Sequence, residues 1–592
     1  MKNIELCQLI KVALGQEKAD LVIKKAMLVS VVSRELIENV NVASKNGLVT
    51  FVENVEKVIG QNTRVIDAQK KYLVPGFLDG HVHVESSQLT LTEFAKTVLP
   101  HGTTGIFFDA HEIANVLGIN GVRLMLEEAK NTPLKAFATI PSCVPSTKNL
   151  ETAGAEITVE DVKKALKWER VVGLGEMMNY PGVLSCDGEV LSKITATLNA
   201  GKVVEGHAAA LQDKQLTAYA SAGISSCHES TTKTDGAQRL RLGLYTMIRE
   251  GTVAKDLREV IKCITEEGCS SRNAVLVTDD RDAETLTTLG HVDHLVRRAI
   301  EEGVDPLSAV QMATLNVAEH FQLSSRIGSI TPGKQADMLV LTSLEKAAVE
   351  TTIINGQIVA HRGKLVATFP NQKYPSFAKR TIHLKRALTE NDFKIASPLG
   401  NVEVNVIGAK AESVFTDNLH ETIFVENGEI TAQPQRDLLK IAVVERHKKT
   451  GNIGLGLIKG LGMKKGAIAT SVAHDCHNLI TAGTNDHSMA KAVNMLSEIG
   501  GGLVAVNEEG QSAILKLPIA GLMSESSAKS VIAKRKHLEL FVKELGCKDI
   551  SVFMTLSFVA LPVIPNLKIT DRGLVDVTKQ CFTPLISKKT LC

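Results

Sequence analysis

Short apolar runs divided by turn residues open the chain: LVIKKAMLVSVV (21–32), GLVTFVENVEKVIG (47–60) and TRVIDAQKKYLV (63–74). Their pattern predicts β-strands, and Asn46-Gly47 is a hairpin signal because both residues accept positive φ. The same style returns at RIGSITPGKQADMLVLT (326–342) and ETTIINGQIVAHRG (350–363). Gly328, Pro332 and Gly333 punctuate the first of these, and Asn355-Gly356 marks a second hairpin. Strand-rich segments on both sides of a long insertion predict one small composite sheet unit, built from residues 1–75 and 325–370.

The insertion, residues 76–324, alternates apolar runs with helical patterns, which is how parallel βα units read. Eight strands are predicted: GFLDGHVH (76–83), GIFFDAH (105–111), AFATIPS (136–142), VVGLGE (171–176), KVVEGH (202–207), GISSCH (223–228), YTMIREG (245–251) and AVLVTDD (274–280). Stretches of 3.6-residue periodicity, such as GVRLMLEEAK, VEDVKKALKW and DLREVIKCITEEG, separate several of them. Eight such units in about 250 residues fit a (β/α)8 barrel of the TIM type. Residues 371–592 mix strands (GNVEVNVIGAK, ETIFVENGEI, LLKIAVVER, SAILKLPIAG) with a helix at SVIAKRKHLELFVKEL, and predict a further C-terminal α/β domain after a linker at NQKYPS (371–376). The expected fold class is therefore α/β, with three parts.

Composition narrows the partners. The chain is 592 residues long, too long for one core, and its 44% hydrophobic and 22% charged content is that of an ordinary globular protein. A net charge of +2 gives no electrostatic footprint for nucleic acid or an anionic membrane, and 4% aromatic content supplies few rings for base stacking. Charges interrupt every apolar run at the N-terminus, so no signal peptide or membrane span is expected, and the expected location is the cytoplasm. Ten cysteines without a C-x-x-C pair argue against a disulfide framework or a structural zinc site. GNIGLGLIKGLG (451–462) matches neither phosphate-loop spacing, so its glycines are assigned to turns and close packing.

The polar residues of the predicted barrel fall at the C-terminal ends of its strands, where βα loops open onto the active face. His81 and His83 end the first strand and share one side by alternation. Glu176 ends the fourth, His207 the fifth, His228 the sixth and Asp279 the eighth. Alone, each has a plain reading: a strand-end histidine is commonly solvated, and Asp279 could cap the next helix. Six at the same end of successive strands supply ligands for two divalent cations, with imidazole and oxygen donors suited to manganese, iron or zinc. Such a pair lowers the pKa of bound water to about 7, and Asp279 is the carboxylate expected to take its proton and pass it to a leaving group.

Two segments that flank the predicted barrel, PGFLDGHVHVESS (75–87) and GSITPGKQADMLVL (328–341), resemble the amidohydrolase superfamily. More narrowly, FFDAHEIANVLG, GLGEMMNYPGV, EGHAA, SSCHES and VTDDRD resemble the adenine deaminase family. So do SVAHDCHNLITAGTNDHSMAKAVN (471–494) and TDRGLVDVT (570–578), which lie beyond the barrel. The resemblance implies hydrolysis of adenine to hypoxanthine and ammonia with Mn²⁺ or Fe²⁺, at a site held by His81, His83, Glu176, His207, His228 and Asp279. It assigns catalytic roles to Asp279, Glu176 and His228. Glu176 stands where binuclear superfamily members often carry a carboxylated lysine. His207 is followed by AAALQ, without the acid/base glutamate found there in adenosine and cytosine deaminases, so the second proton donor stays unassigned.

His111 and Glu112, after the second strand, are candidates either for substrate contact or for a helix cap or supporting role. Asp280 is expected to support Asp279, and Arg249-Glu250 is a weaker substrate-contact candidate. His474, Asp475, His477, Asn478, Asp486 and His487 read as a polar cluster that orders a loop or closes over the barrel mouth. Two other functions are weighed: a binuclear amidohydrolase acting on cyclic amides, of the dihydroorotase or hydantoinase kind, and a non-catalytic purine-binding homologue. The expected partner is a small molecule, and the expected assembly a homodimer.

Overall fold

The computed structural model describes residues 3–370, 372–410, 413–548 and 551–587. Asn371 of the expected linker and Cys592 lie outside them. All eight predicted barrel strands form. The first five, Phe77–Val82, Thr103–Asp109, Lys135–Ile140, Val171–Met177 and Val203–Gly206, make one parallel sheet, and Ser226–Cys227, Tyr245–Arg249 and Ala274–Val277 make another. Hydrogen bonds close both seams. The Ser225 amide donates to the Val204 carbonyl at 2.9 Å, while the Asp279 amide donates to His81 at 3.0 Å and the His83 amide to Asp279 at 3.2 Å. Strands covered on both faces bury nearly every residue, and every residue of Phe77–Val82 and Thr103–Asp109 is buried. Stacked rings of Phe107 and Phe321, with Leu78, Phe137, Met247 and Val275, fill the barrel floor.

The two strand-rich segments join in one nine-stranded sheet. Tyr72–Pro75 runs parallel to Leu21–Ser30 and antiparallel to Met338–Leu341, with Val74 opposite Leu339. Both Asn-Gly turns hold positive φ at each residue, 51° and 76° at Asn46 and Gly47, and 49° and 73° at Asn355 and Gly356.

Beyond the barrel lies an eight-stranded sheet in the order Asp417–Val425, Gly400–Gly408, Ile453–Lys459, Leu439–Val444, Leu479–Gly483, Ala467–Thr470, Gly502–Val506, Ser512–Lys516. The glycine-rich stretch forms its Ile453–Lys459 strand, where a side chain at Gly454 would meet the Thr570 carbonyl at 1.9 Å. Helix Asp486–Ile499 packs on one face through Met489, Val493 and Leu496. This part docks on the loops after the first, third and eighth barrel strands. The Ser524 amide donates to Gln88 at 2.8 Å, Asp571 accepts from the Thr152 amide at 2.8 Å and hydroxyl at 2.7 Å, and Arg535 pairs with Asp282 at 3.1 Å. Among the described residues no helix is long and apolar enough to cross a membrane.

Candidate metal centre and its closure

All six predicted donors meet at the C-terminal mouth of the barrel. The Nε2 of His83 lies 3.1 Å from Asp279 and 3.6 Å from Glu176, and that of His81 3.6 Å from Asp279. Glu176 Oε2 stands 2.6 Å from His207 Nδ1 and 3.0 Å from His228 Nε2. The His81 and His228 rings stack at 4.1 Å. Five of the six are buried and His207 is partly exposed.

The local fold aims these groups. His83 Nδ1–H donates to the Asp109 carbonyl at 3.0 Å, which leaves Nε2 facing two carboxylates. Asp109 also accepts the Glu176 amide at 2.9 Å, an approach that requires Gly175, since a Cβ there would lie 1.8 Å from the same oxygen. Asp79, wholly buried, accepts the amides of His81 and Thr278 at 3.3 and 3.2 Å and ties the first strand to the eighth. Asp279 itself holds φ +57°, a left-handed backbone that is uncommon for a non-glycine residue and clusters at functional sites.

An imidazole nitrogen turned toward carboxylate oxygens needs a cation between them, either a metal ion or a proton such as Asp279 holds on His83 against burial, and the buried His81 Nε2 has no hydrogen-bond partner. Overlapping trios, among them His81/His228/Asp279, His81/His83/Glu176, Glu176/His207/His228, His83/Asp279/Asp280 and Asp109/His111/Glu176, keep their donor atoms within 4.8 Å of one another. The donor set, with Glu176 in three of these trios, fits one or two divalent cations. Burial and the neighbouring imidazoles of His228 and His83 pull His81 down to about 4, so it is a neutral donor. Burial opposes ionisation of Asp279, but the hydrogen bond from His83 and the charge of Arg249 overcome it and hold the carboxyl well below its usual range. Glu176 is also held low, against burial, by His207 and His228.

Arg249, at the end of the seventh strand, turns its guanidinium to the carboxylates around the centre. Its guanidinium reaches Asp279 at 3.0 Å and Asp256 at 2.8 Å and also meets Glu229, so it is committed to buried carboxylates. Glu229 is a site residue that the sequence did not single out. Glu85 is another: one carboxylate oxygen accepts from the Ile113 amide at 3.2 Å, the other is buried and bare, and burial pushes the group up to about 7. Glu85 sits in the same odd-numbered phase as His81 and His83, the one signal that could have revealed it. Asp280 accepts from the Ser86 hydroxyl beside the centre.

The second strand stops at Asp109, and His111 and Glu112 begin a helix, His111–Leu117. His111 Nδ1 lies 3.2 Å from Glu176. Glu112 is claimed from across the molecule: His474 Nδ1 is 2.5 Å away, and His477 meets the other oxygen. Because His477 Nδ1 accepts the Ala473 amide at 3.1 Å, its Nε2 carries the proton and donates to Glu112. The expected C-terminal cluster thus divides. His474, Asp475, His477 and Asn478 are buried near the barrel mouth, whereas Asp486 pairs with Lys440 at 2.6 Å and His487 is exposed on the first turn of its helix. A helix start, with Asn485 as its cap, carries those two away.

Residues 72–359 match the model of the amidohydrolase family, and residues 413–581 that of the adenine deaminase C-terminal domain. The chain is 47% identical over 583 residues to an adenine deaminase of Moorella thermoacetica, covering 98% of both chains. It is 45% identical to one of Clostridium botulinum over 97% of this chain and 96% of that one. It is 43% identical to adenine deaminase 3 of Rhizobium meliloti over 98% of each. Among solved structures, a β-aspartyl dipeptidase from Fervidobacterium islandicum is similar over 60% of this chain and 100% of its own, at 17% identity and a TM-score of 0.45. A zinc-bound adenosine deaminase from Xanthomonas campestris is similar over 60% and 95%, at 13% identity and a TM-score of 0.41.

Proposed function

The chain belongs to the adenine deaminase family of amidohydrolases, and from that premise we propose that it hydrolyses adenine to hypoxanthine and ammonia at the six-donor centre. The observation that carries this reading is the shared mouth of His81, His83, Glu176, His207, His228 and Asp279, with a bare His81 Nε2 and carboxylates facing imidazole nitrogens. We assign the six as ligands of a binuclear Mn²⁺ or Fe²⁺ site, zinc being a further candidate. When bound, such ions supply Lewis acidity and make water acidic enough to attack at neutral pH.

The chain's own groups do the rest. Asp279, fixed by Arg249 and His83, takes the proton of the attacking water and returns it to the departing amine. Glu176, together with His228, orients the reacting carbon by holding the two halves of the donor set in register. We take His111, which stands beside Glu176, and its neighbour Glu112 as substrate contacts, with Glu112 immobilised by His474 and His477. The C-terminal segments docked on the rim limit water at the centre.

We take residues 76–324 as the catalytic unit, residues 1–75 with 325–370 as its sheet companion, and residues 371–592 as the closing unit. A cytoplasmic homodimer serving purine salvage, with no nucleic-acid or membrane partner, accords with the +2 net charge. The test is metal analysis joined to ammonia release from adenine, adenosine, guanine and cytosine, before and after chelation. Adenine turnover that chelation abolishes and Mn²⁺ restores is expected; full activity in metal-free protein, or ring opening of dihydroorotate or hydantoin in place of ammonia release, overturns the assignment.

A further inference from the structure

One buried histidine outside the donor set reaches the metal centre through a single carboxylate. His291 caps the start of the helix Val292–Glu301, which follows the eighth strand, and its side chain is wholly buried. A buried imidazole costs free energy unless its nitrogens find partners, and both do. Its Nε2 stands 3.0 Å from Asp79 Oδ2, and its Nδ1 lies 2.8 Å from the Thr103 hydroxyl. Burial holds His291 below its ordinary value against the pull of Asp79, so the ring carries one proton. A carboxylate only accepts, which places that proton on Nε2 and leaves Nδ1 to accept from Thr103. The backbone is pinned as well. The His291 amide donates to Asp293 at 2.7 Å, and Arg281 donates to the Gly290 carbonyl at 2.7 Å.

Asp79 collects donors from both sides of the barrel seam. Its Oδ1 accepts the amides of His81 and Thr278, and its Oδ2 accepts the Thr278 hydroxyl and the His291 Nε2–H. The amides belong to the ends of the first and eighth strands, where the metal-facing groups stand: His81 itself, and Asp279 next to Thr278. The side chains of His81 and Asp279 are 3.6 Å apart, a spacing set by the register of those strand ends. Of the groups that hold Asp79, only His291 comes from outside the two strands. Without it, Oδ2 keeps the Thr278 hydroxyl alone, and the carboxylate is free to turn away from one of its amides. We propose that His291 is a positioning residue for the metal centre, which by donating to Asp79 fixes the separation of His81 and Asp279. Groups that orient metal ligands from behind typically set metal affinity or rate by about 10- to 100-fold.

This inference rests on the metal-centre reading, and the experiment separates the two. The wild type, His291→Leu, His291→Gln and Thr103→Val are titrated with Mn²⁺ against a competing chelator. Their kcat and KM for adenine and their urea midpoints are measured alongside. His291→Leu should weaken Mn²⁺ binding and lower kcat by about 10- to 100-fold each, with KM little changed. His291→Gln returns an N–H near the Nε2 position and should recover most of both. Thr103→Val keeps the ring but removes the hydroxyl that holds its tautomer, so it should shift both readouts the same way by less, and it decides the matter if His291→Leu does not fold. A lower urea midpoint with unchanged Mn²⁺ affinity and kcat means that His291 only fills space, and overturns the inference. Equal losses in the Leu and Gln variants do the same, and both outcomes leave the metal centre standing. Wild-type protein that takes up no Mn²⁺ sinks the centre and this role together.

Discussion

Replacement of His474 by Gln tests the closure of the mouth. The histidine is 8% exposed and sits 2.5 Å from Glu112. Burial opposes its charge, but Glu112 outweighs burial and raises it from 6.5 to about 9. Shifts of that size correspond to about 3 kcal/mol in favour of the folded, charged form. Since the folded value is the higher one, this contribution is complete below pH 6.5 and is lost as pH rises through about 9. Gln keeps a hydrogen-bond donor for Glu112 but cannot be charged. Urea denaturation of the metal-loaded proteins should therefore find the variant less stable by about 3 kcal/mol near pH 6 and nearly equal to wild type near pH 10. The same deficit at both pH values would mean that packing, not charge, is what His474 contributes. No deficit near pH 6 would refute the ion pair.

Two further outcomes follow from the centre. Asp279→Asn should cost about 10²-fold or more in turnover while the fold and much of the metal remain; near wild-type rates in steady-state assays would remove Asp279 from proton transfer. Arg249→Met leaves Glu229, Asp256 and Asp279 without their shared cation. It should destabilise the protein by about 3–5 kcal/mol in denaturant and move the acidic limb of the pH–rate profile upward, because Asp279 is no longer held low; an unmoved limb refutes that role.

Much of the barrel is legible because parallel strands covered on both faces are mostly apolar, and because histidines and carboxylates gather at their catalytic ends. His81, His83, Glu176, His207, His228 and Asp279 stand out for that reason. The groups that hold them are harder to read. Glu229 gains its place from Arg249, at the end of the next strand, and Glu112 from His474 and His477 in another part of the molecule. No periodicity encodes such meetings, which depend on how the sheets dock. Sequence nearness misled in one case: Asp486 and His487 follow the HDCHN stretch closely, yet the strand Leu479–Gly483 runs between and a capped helix begins at Asp486, so both lie elsewhere.

The grip of two imidazoles on Glu112 makes the seam between barrel and C-terminal sheet part of the working apparatus. Cut free before that sheet, the barrel would keep its six donors but strand an acid beside them and bare Leu150, which now packs on Val575 and Val577. Loss of the acid at position 112 would leave two buried imidazoles, far downstream at 474 and 477, without their partner.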